Sequence, residues 1–515
     1  MTQRSEGRRV AGFNDTQGEV AFGSVRERMS VAPSPLFHDT ILRQFFEFKQ
    51  RFWFAPLVAT HRAWAVCLYE AGLIDREDAR KIRQALDELE TTGPSAAEPY
   101  DLNFEYFYLH VERFLSERIG EEVVGNLNLG RTRPEPLTRM ALRNLILPLS
   151  EDLLTLRGAL LQLAGREVAT VMPGYTHCQH GQPTTLAHYL SALLNHLERD
   201  TERLLAGFAQ TNRSSLGCGA LAGICYNVDR RRAASLLGFD DIVVNTFDAV
   251  AAMDHKVETL AAVANTMANL SRFAQDLHQW CTLEYGMAEV DDSFASVSSL
   301  MPQKKNSLVF EYVRARAGAV IGSLTAVLAM EHNTFFQDVE DICIDVEFPL
   351  AEAFETASRA LRLMTGVCSA MTFHPERMLA LANQGFSTAS GLADVIHEDC
   401  ELSYRTAHRI VARTVRLALD RGLDAQGVGP GLVDECALEV VGRRLELSSE
   451  RLTEALDASR FVNKLKVEGS ARAAAVEEML EASTRRNAAD AARVKDAYGG
   501  LSAADEELRE TIAAI

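Results

Sequence analysis

Between residues 137 and 333 apolar residues recur every three or four positions through five stretches, at 137–170, 183–210, 229–237, 247–285 and 308–333. The third is short. The other four are long enough to cross a domain lengthwise, and a helix of that length buries its apolar stripe most fully against others like it. The pattern predicts an all-α fold with a long-helix bundle at its centre. Proline agrees: the 515 residues hold only 14, about half the usual share of roughly 5%, and proline breaks helix interiors while turn-rich β proteins use it freely.

Shorter patterns flank the bundle. Residues 1–35 are polar and without clear period, a loosely ordered arm. A helical domain is expected over 36–125, where the period breaks at Pro56 and Asp75 offers an N-cap to the next helix. A central bundle domain then covers 126–375. A small C-terminal helical domain, 376–515, ends in an Ala-, Asp- and Arg-rich tail that reads as an added helix. The breaks in the bundle are MPGYTHCQHGQP, whose Pro183 suits the first position of the next helix, SSLGCGALAGICYN, and the 21 residues from Met287 to Ser307. Structureless loops beyond about 12–15 residues are usually functional or disordered.

Charge narrows the partners. Lys plus Arg total 53 against 71 Asp plus Glu, a formal net charge of −18, which opposes binding to nucleic acid or an anionic membrane. An anionic substrate would need a local basic cluster. The nine cysteines are widely spaced with no C-x-x-C pair, so neither a disulfide framework nor a metal cage is expected. The N-terminus lacks an apolar signal core, and no later run reads as long enough to span a bilayer. A cytoplasmic protein without membrane partners fits.

The sharpest chemical feature is SSLMPQKKNS, residues 298–307, at the end of the long break and directly before a helix whose N-cap would be Ser307. Lysines and hydroxyls at a helix start favour an anion, through backbone N–H groups, the helix dipole and a formal cation at Lys304 or Lys305. By residue type alone, a solvated basic turn would be the better account.

The string itself alters that balance. SSLMPQKKN resembles the signature loop of the fumarase and aspartase superfamily, and its Gln-Lys-Lys-Asn spelling is similar to the argininosuccinate lyase branch. GYTHCQHGQPTT, LGCGALAG, LLGFDDIVVNTFDAV and ASGLADVIHEDCELSYRTAHRIV follow the branch's order, so the resemblance covers roughly residues 40–485. It implies a three-domain fumarase/aspartase-type fold with a tetrameric core of about twenty helices, each active site being shared between three subunits. It further implies a cofactor-independent, reversible β-elimination in which an N-substituted aspartate gives fumarate and an amine. Such a site must hold a developing dianion with fixed donors and cations. By motif alignment Ser298 is the implied base, Lys304 the cation facing the substrate carboxylate, and Asn306 a carboxylate donor. Arg131, Thr132, Arg133, Thr176 and Gln182 fall at implied substrate-binding positions. His177, with Glu311 as its carboxylate partner, is an implied relay or orienting pair. His180 and His188 keep ordinary polar roles.

The chain departs from that family on one side of the substrate. Pro134 stands where an Asn would donate its side-chain amide, and Met253 where an Arg is usual. Phe335, Glu340 and Cys343 replace the Tyr, Gln and Lys that hold the amino-acid end of the arginine moiety. The elimination residues stay. A lyase acting on a different amine is therefore expected, with argininosuccinate lyase proper and a catalytically silent tetrameric scaffold as alternatives. Because Glu340 would repel a carboxylate and Cys343 offers no cation, the amine is expected to lack an α-carboxylate or to carry extra positive charge.

Overall fold

The computed structural model describes residues 33–101, 104–132 and 136–515. Helical turns over Pro35–Phe37 and His38–Leu42 lead into helix α1 (Arg43–Glu70), α2 (Arg76–Thr92) follows, and Asp75 caps α2 by accepting from the amide of Asp78 at 2.9 Å. Pro56 does not break α1. Phe46, Trp53, Leu57 and Trp64 form a continuous buried stripe along it, and burying four such side chains outweighs the roughly 3 kcal/mol an interior proline costs. After α3 (Phe107–Ile119) come the bundle helices α4 (Leu137–Arg166), α5 (Leu186–Thr211), α6 (Asp254–Trp280), α7 (Leu308–Glu331) and α8 (Glu347–Ala370). The fold is all-α, with short two-stranded ladders at the helix ends.

Two helical expectations shorten. The 247–285 stretch is a short helix, Thr246–Ala251, then extended backbone at Ala252, then α6. That break sets Met253, His255 and Lys256 at the head of a bundle helix. Pro183 lies not in a helix but in a strand, and α5 starts three residues later behind the cap Thr185, which accepts from the amide of His188 at 3.1 Å.

Buried apolar side chains fall into three main clusters: the bundle around Leu153, Leu190, Leu260 and Phe354, an N-terminal group around Trp64, Ile82 and Phe107, and a C-terminal group around Ile410 and Val433. The tail is one 42-residue helix, α9 (Ala473–Ala514). Grouped by sequence with the C-terminal unit, it packs instead along the bundle through Val476 and Val494 and on the N-terminal cluster through Leu508 and Ile512. Its small side chains allow close approach, and charges fix its register. Arg157, fully buried in α4, donates to Asp490 at 2.7 Å and to Thr201 at 3.0 Å, while Arg486 reaches the buried Glu198 at 2.6 Å.

Helix α7 contradicts the expectation that no run could span a bilayer: by length and composition it is long and apolar enough. It is packed between α6 and α8 through Phe310, Val313, Ala317 and Val320. Tyr312 and Met330 on one flank of that buried stripe, and Ile321 and Leu328 on the other, are exposed in the single chain.

Asp490→Ala should leave the Arg157 guanidinium buried beside only a distant Glu198. We expect a loss of about 3 kcal/mol in denaturant unfolding, whereas removing the exposed pair Arg413–Glu439, 2.6 Å apart, by Arg413→Ala should cost at most about 1 kcal/mol.

Candidate active site

The first group of candidate residues sits on a hairpin. Strand β1 (Val171–Thr176) pairs antiparallel with β2 (Gln179–Thr185), and Thr176 opposite Gln179 leaves His177 and Cys178 as a two-residue turn. Their φ values of 53° and 58° are the left-handed backbone such a tight turn requires. Neither is glycine, so the turn carries strain that the strands must hold. Thr176 and His177 are exposed at its tip. Gly174 has no substitute, because a Cβ there would lie 2.5 Å from the Gln182 carbonyl oxygen. Gln182 itself turns toward Ser390 at 3.4 Å, in a cleft with Asp394, Arg451 and Lys464.

The second group is the 287–307 segment, which is not structureless. Ala288–Glu289 pairs with Thr372–Phe373, and Ser296–Val297 pairs with Lys305–Asn306, so residues 298–304 are the loop of a small hairpin. The Ser298 hydroxyl oxygen accepts from the amides of Met301 at 3.0 Å and Leu300 at 3.3 Å. Two backbone N–H groups on one oxygen favour its anionic form. The two lysines are distinct. Lys305 is held 2.7 Å from both Glu289 and Asp292, and those bonds raise its pKa. Lys304 is exposed and forms no ion pair among the described residues. Asn306 is half-buried. Ser307 holds the N-cap position of α7 but makes no side-chain capping bond. Glu311, in the first turn of α7, has His278 as its neighbour at 3.9 Å, not His177. His278 bonds Arg314 at 2.7 Å, and its pKa is lowered by burial and by that guanidinium.

The third group lies near the start of α4. Arg131 bonds the ring of His61 at 2.8 Å, leaving its own Nε and Nη2 buried without partners. Burial, then Arg131, holds the His61 pKa well below its usual value, so the imidazole is neutral and accepts. Thr132 lines a cavity with Arg139, Met253, His255, Lys256 and Cys343. Arg133 and Pro134 lie outside the described residues. The Cys343 thiol donates to Asp338, and burial pushes its pKa up. Phe335 is 75% exposed, while Phe336 beside it stacks on Phe247 at 5.9 Å. Glu340 is exposed and does not line the cavity. Its charge nevertheless acts on Cys343, which does line the cavity, and helps raise that thiol's pKa.

Among the described residues no hydrogen bond, ion pair or shared cavity joins these three groups within one chain. Motif reading also missed Arg139, His255 and the buried pair Lys256–Glu347, at 2.5 Å. The available signal was four ionisable residues on helical stretches otherwise patterned to be buried.

Comparison with known proteins agrees with this architecture. The lyase family profile matches residues 29–322, and a profile for the argininosuccinate lyase C-terminal region matches 386–463. Argininosuccinate lyase 1 of Shouchella clausii is 34% identical over 482 residues, covering 93% of this chain and 97% of the relative. The chain belongs to the argininosuccinate lyase branch of the fumarase and aspartase superfamily. The argininosuccinate lyase of Methanoculleus marisnigri is 36% identical, covering 86% of this chain and 89% of that one. A solved EDDS lyase variant with bound fumarate superposes with a TM-score of 0.84 at 31% identity, over 94% of this chain and 96% of that one. A 3-carboxy-cis,cis-muconate lactonizing enzyme from Pseudomonas putida, at 18% identity and TM-score 0.66, shares the fold. The branch member is a carbon–nitrogen lyase that forms fumarate.

Gly174→Ala should displace β2 and with it the His177 turn. Turnover is expected to fall about a hundredfold, the usual cost of misplacing a group by about 1 Å, with helix content by circular dichroism unchanged.

Proposed function

We propose that this lyase interconverts an N-substituted aspartate with fumarate and an amine other than arginine, at sites shared between subunits of a homotetramer. Ser298 takes the proton beside the carboxylate, and the carbanion's charge spreads into that carboxylate, opposite Lys304 and Asn306. Arg131, Thr132, Arg133, Thr176 and Gln182 hold the substrate. His177, with Glu311 of another subunit, relays or orients the proton as the carbon–nitrogen bond breaks. The reaction uses no cofactor. The observation that carries this reading is the pair of backbone amides on the Ser298 oxygen: a free serine hydroxyl is far too weak an acid to act as a base near neutral pH, and fixed donors lower that barrier.

Assembly is supported by the separation of the three groups and by α7. Its exposed Ile321 and Leu328, two turns apart on one side of the helix, form an apolar stripe that a neighbouring copy of the same helix would cover. Curated relatives are argininosuccinate lyases, which favours cleavage of argininosuccinate as a second reading.

Fumarate with an amine panel, read by mass spectrometry of adducts, tests the first reading. A kcat/KM for argininosuccinate of about 10⁴ M⁻¹s⁻¹ or above would establish the second instead. Ser298→Ala should abolish nearly all turnover without loss of assembly. Mixing it with an inactive His177→Asn chain should restore part of the activity, because some mixed sites draw both groups from intact subunits. A monomer in sedimentation at micromolar concentration would refute the shared site.

A further inference from the structure

His61 and Trp64 stand three residues apart on one face of α1, and both reach the segment 128–131. Trp64 donates to the Leu129 carbonyl at 3.1 Å, and Nδ1 of His61 lies 2.8 Å from Nη1 of Arg131. Tyr108 of α3 borders both partners, its ring centroid 5.5 Å from the His61 ring and 5.8 Å from the guanidinium carbon of Arg131. Its hydroxyl donates to Asn128, which donates in turn to Glu112 at 2.9 Å. Arg131 is thus held from two helices.

What holds Arg131 does not neutralise it. A guanidinium has donors only, so His61 accepts through Nδ1 and carries its own proton on Nε2. Burial, with Arg131 as the second cause, keeps the His61 pKa well below its usual value, and the ring brings no charge. No carboxylate lies within salt-bridge distance of Arg131 among the described residues. Its Nε and Nη2, side by side on one edge of the planar group, are buried without partners. Two parallel donors on a charged plane match the two oxygens of a carboxylate, and buried donors cost free energy until such an acceptor arrives. An Asp or Glu in place of His61 would anchor the guanidinium as firmly, but it would also cancel the charge that this edge offers. A neutral acceptor does the first without the second.

We propose that His61 is the positioning residue for Arg131: it takes Nη1 as a neutral acceptor, so that the Nε and Nη2 edge keeps its full charge for a carboxylate of fumarate or of the aspartate portion of the substrate. This rests on the lyase reading above and adds to it a residue that none of the signature strings contains. At 2% exposure, His61 acts through Arg131 and not on the substrate itself.

Three substitutions of similar size separate this role from packing. Asn keeps a neutral acceptor near the place of Nδ1, Asp adds a charge to it, and Leu removes it. The parent is the full chain carrying Ser298→Ala, in which fumarate binds without turnover, and calorimetry reads its Kd. His61→Leu should weaken fumarate about tenfold, the range of one charge-assisted contact, and His61→Asp by at least as much, because the new carboxylate competes with fumarate for Arg131. His61→Asn should stay within about threefold of the parent. Both losses should shrink below about twofold when Arg131→Gln is already present, since no guanidinium then remains to be positioned. Equal weakening by all three substitutions, losses of unchanged size in the Arg131→Gln background, or binding indifferent to both His61→Leu and His61→Asp overturns the positioning role. Should the Leu variant fail to fold, Asp against Asn, with and without Arg131→Gln, decides on the same terms. A parent that binds no fumarate at all strikes the lyase reading itself and the inference with it, whereas fumarate binding that ignores His61 strikes the inference alone.

Discussion

Helix α7 is covered on one side only. Phe310, Val313, Ala317 and Val320 bury it against the bundle, while Tyr312, Ile321 and Leu328 stay bare. The signature segment runs into it through Asn306 and the N-cap Ser307, and its first turn carries Glu311. The loop holding Ser298 is pinned to the same helix by the ladder between Ser296–Val297 and Lys305–Asn306, so whatever seats α7 also seats the candidate base. A rigid helix at the back of a loop is how a scaffold gives an otherwise mobile segment a fixed geometry.

The segment bearing Arg131 is positioned by the N-terminal helices. Trp64 of α1 donates to the Leu129 carbonyl at 3.1 Å, and His61, one turn earlier, receives Arg131. That N-terminal cluster is in turn closed by the far end of α9, through Leu508 and Ile512, with Arg80 donating to the Ile515 carbonyl at 3.1 Å. Because Arg157 and Asp490 lock the middle of α9 into the bundle, the tail links the element bearing Arg131 to the helices bearing the rest. A buried pair of this kind adds little net stability over an apolar contact, but it penalises any slip in register, since a one-turn shift would strand Arg157 without Asp490.

What was legible in the sequence follows the physics of each signal. Long helices announce themselves through many repeats of one period, so the bundle was readable from apolar spacing, and the signature string was readable because its residues are contiguous. The His177 turn was not, because Pro183 suits a helix start as well as a strand, and only pairing partners ten or so residues away decide between them. Pro56 misled for the opposite reason: a local breaker was overruled by a stripe of buried aromatic side chains that no local rule weighs. The break at Ala252 carries no Gly or Pro at all. Glu311 was paired with His177 by alignment, whereas within the chain it faces His278, a neighbour brought to it by the packing of two helices that sequence order does not reveal.

The charge reading weighed two aligned positions that the chain places differently. Counting signs at aligned positions treats Glu340 and Cys343 as if both faced the substrate, but the turn at Asp341–Asp345 sends Cys343 to the cavity and leaves Glu340 outside it. The cations that do face inward, Arg139 and Lys256, come from the first turns of two other helices; Glu347 pairs with Lys256, while Asp338 borders the same cavity and Asp254 and Asp248 act on Arg139. A lost cation at one aligned position thus does not by itself set the charge of the site. The field inside a buried cavity is set by every element that borders it, and a guanidinium entering from α4 can restore from a new direction a charge that the segment after α7 no longer supplies.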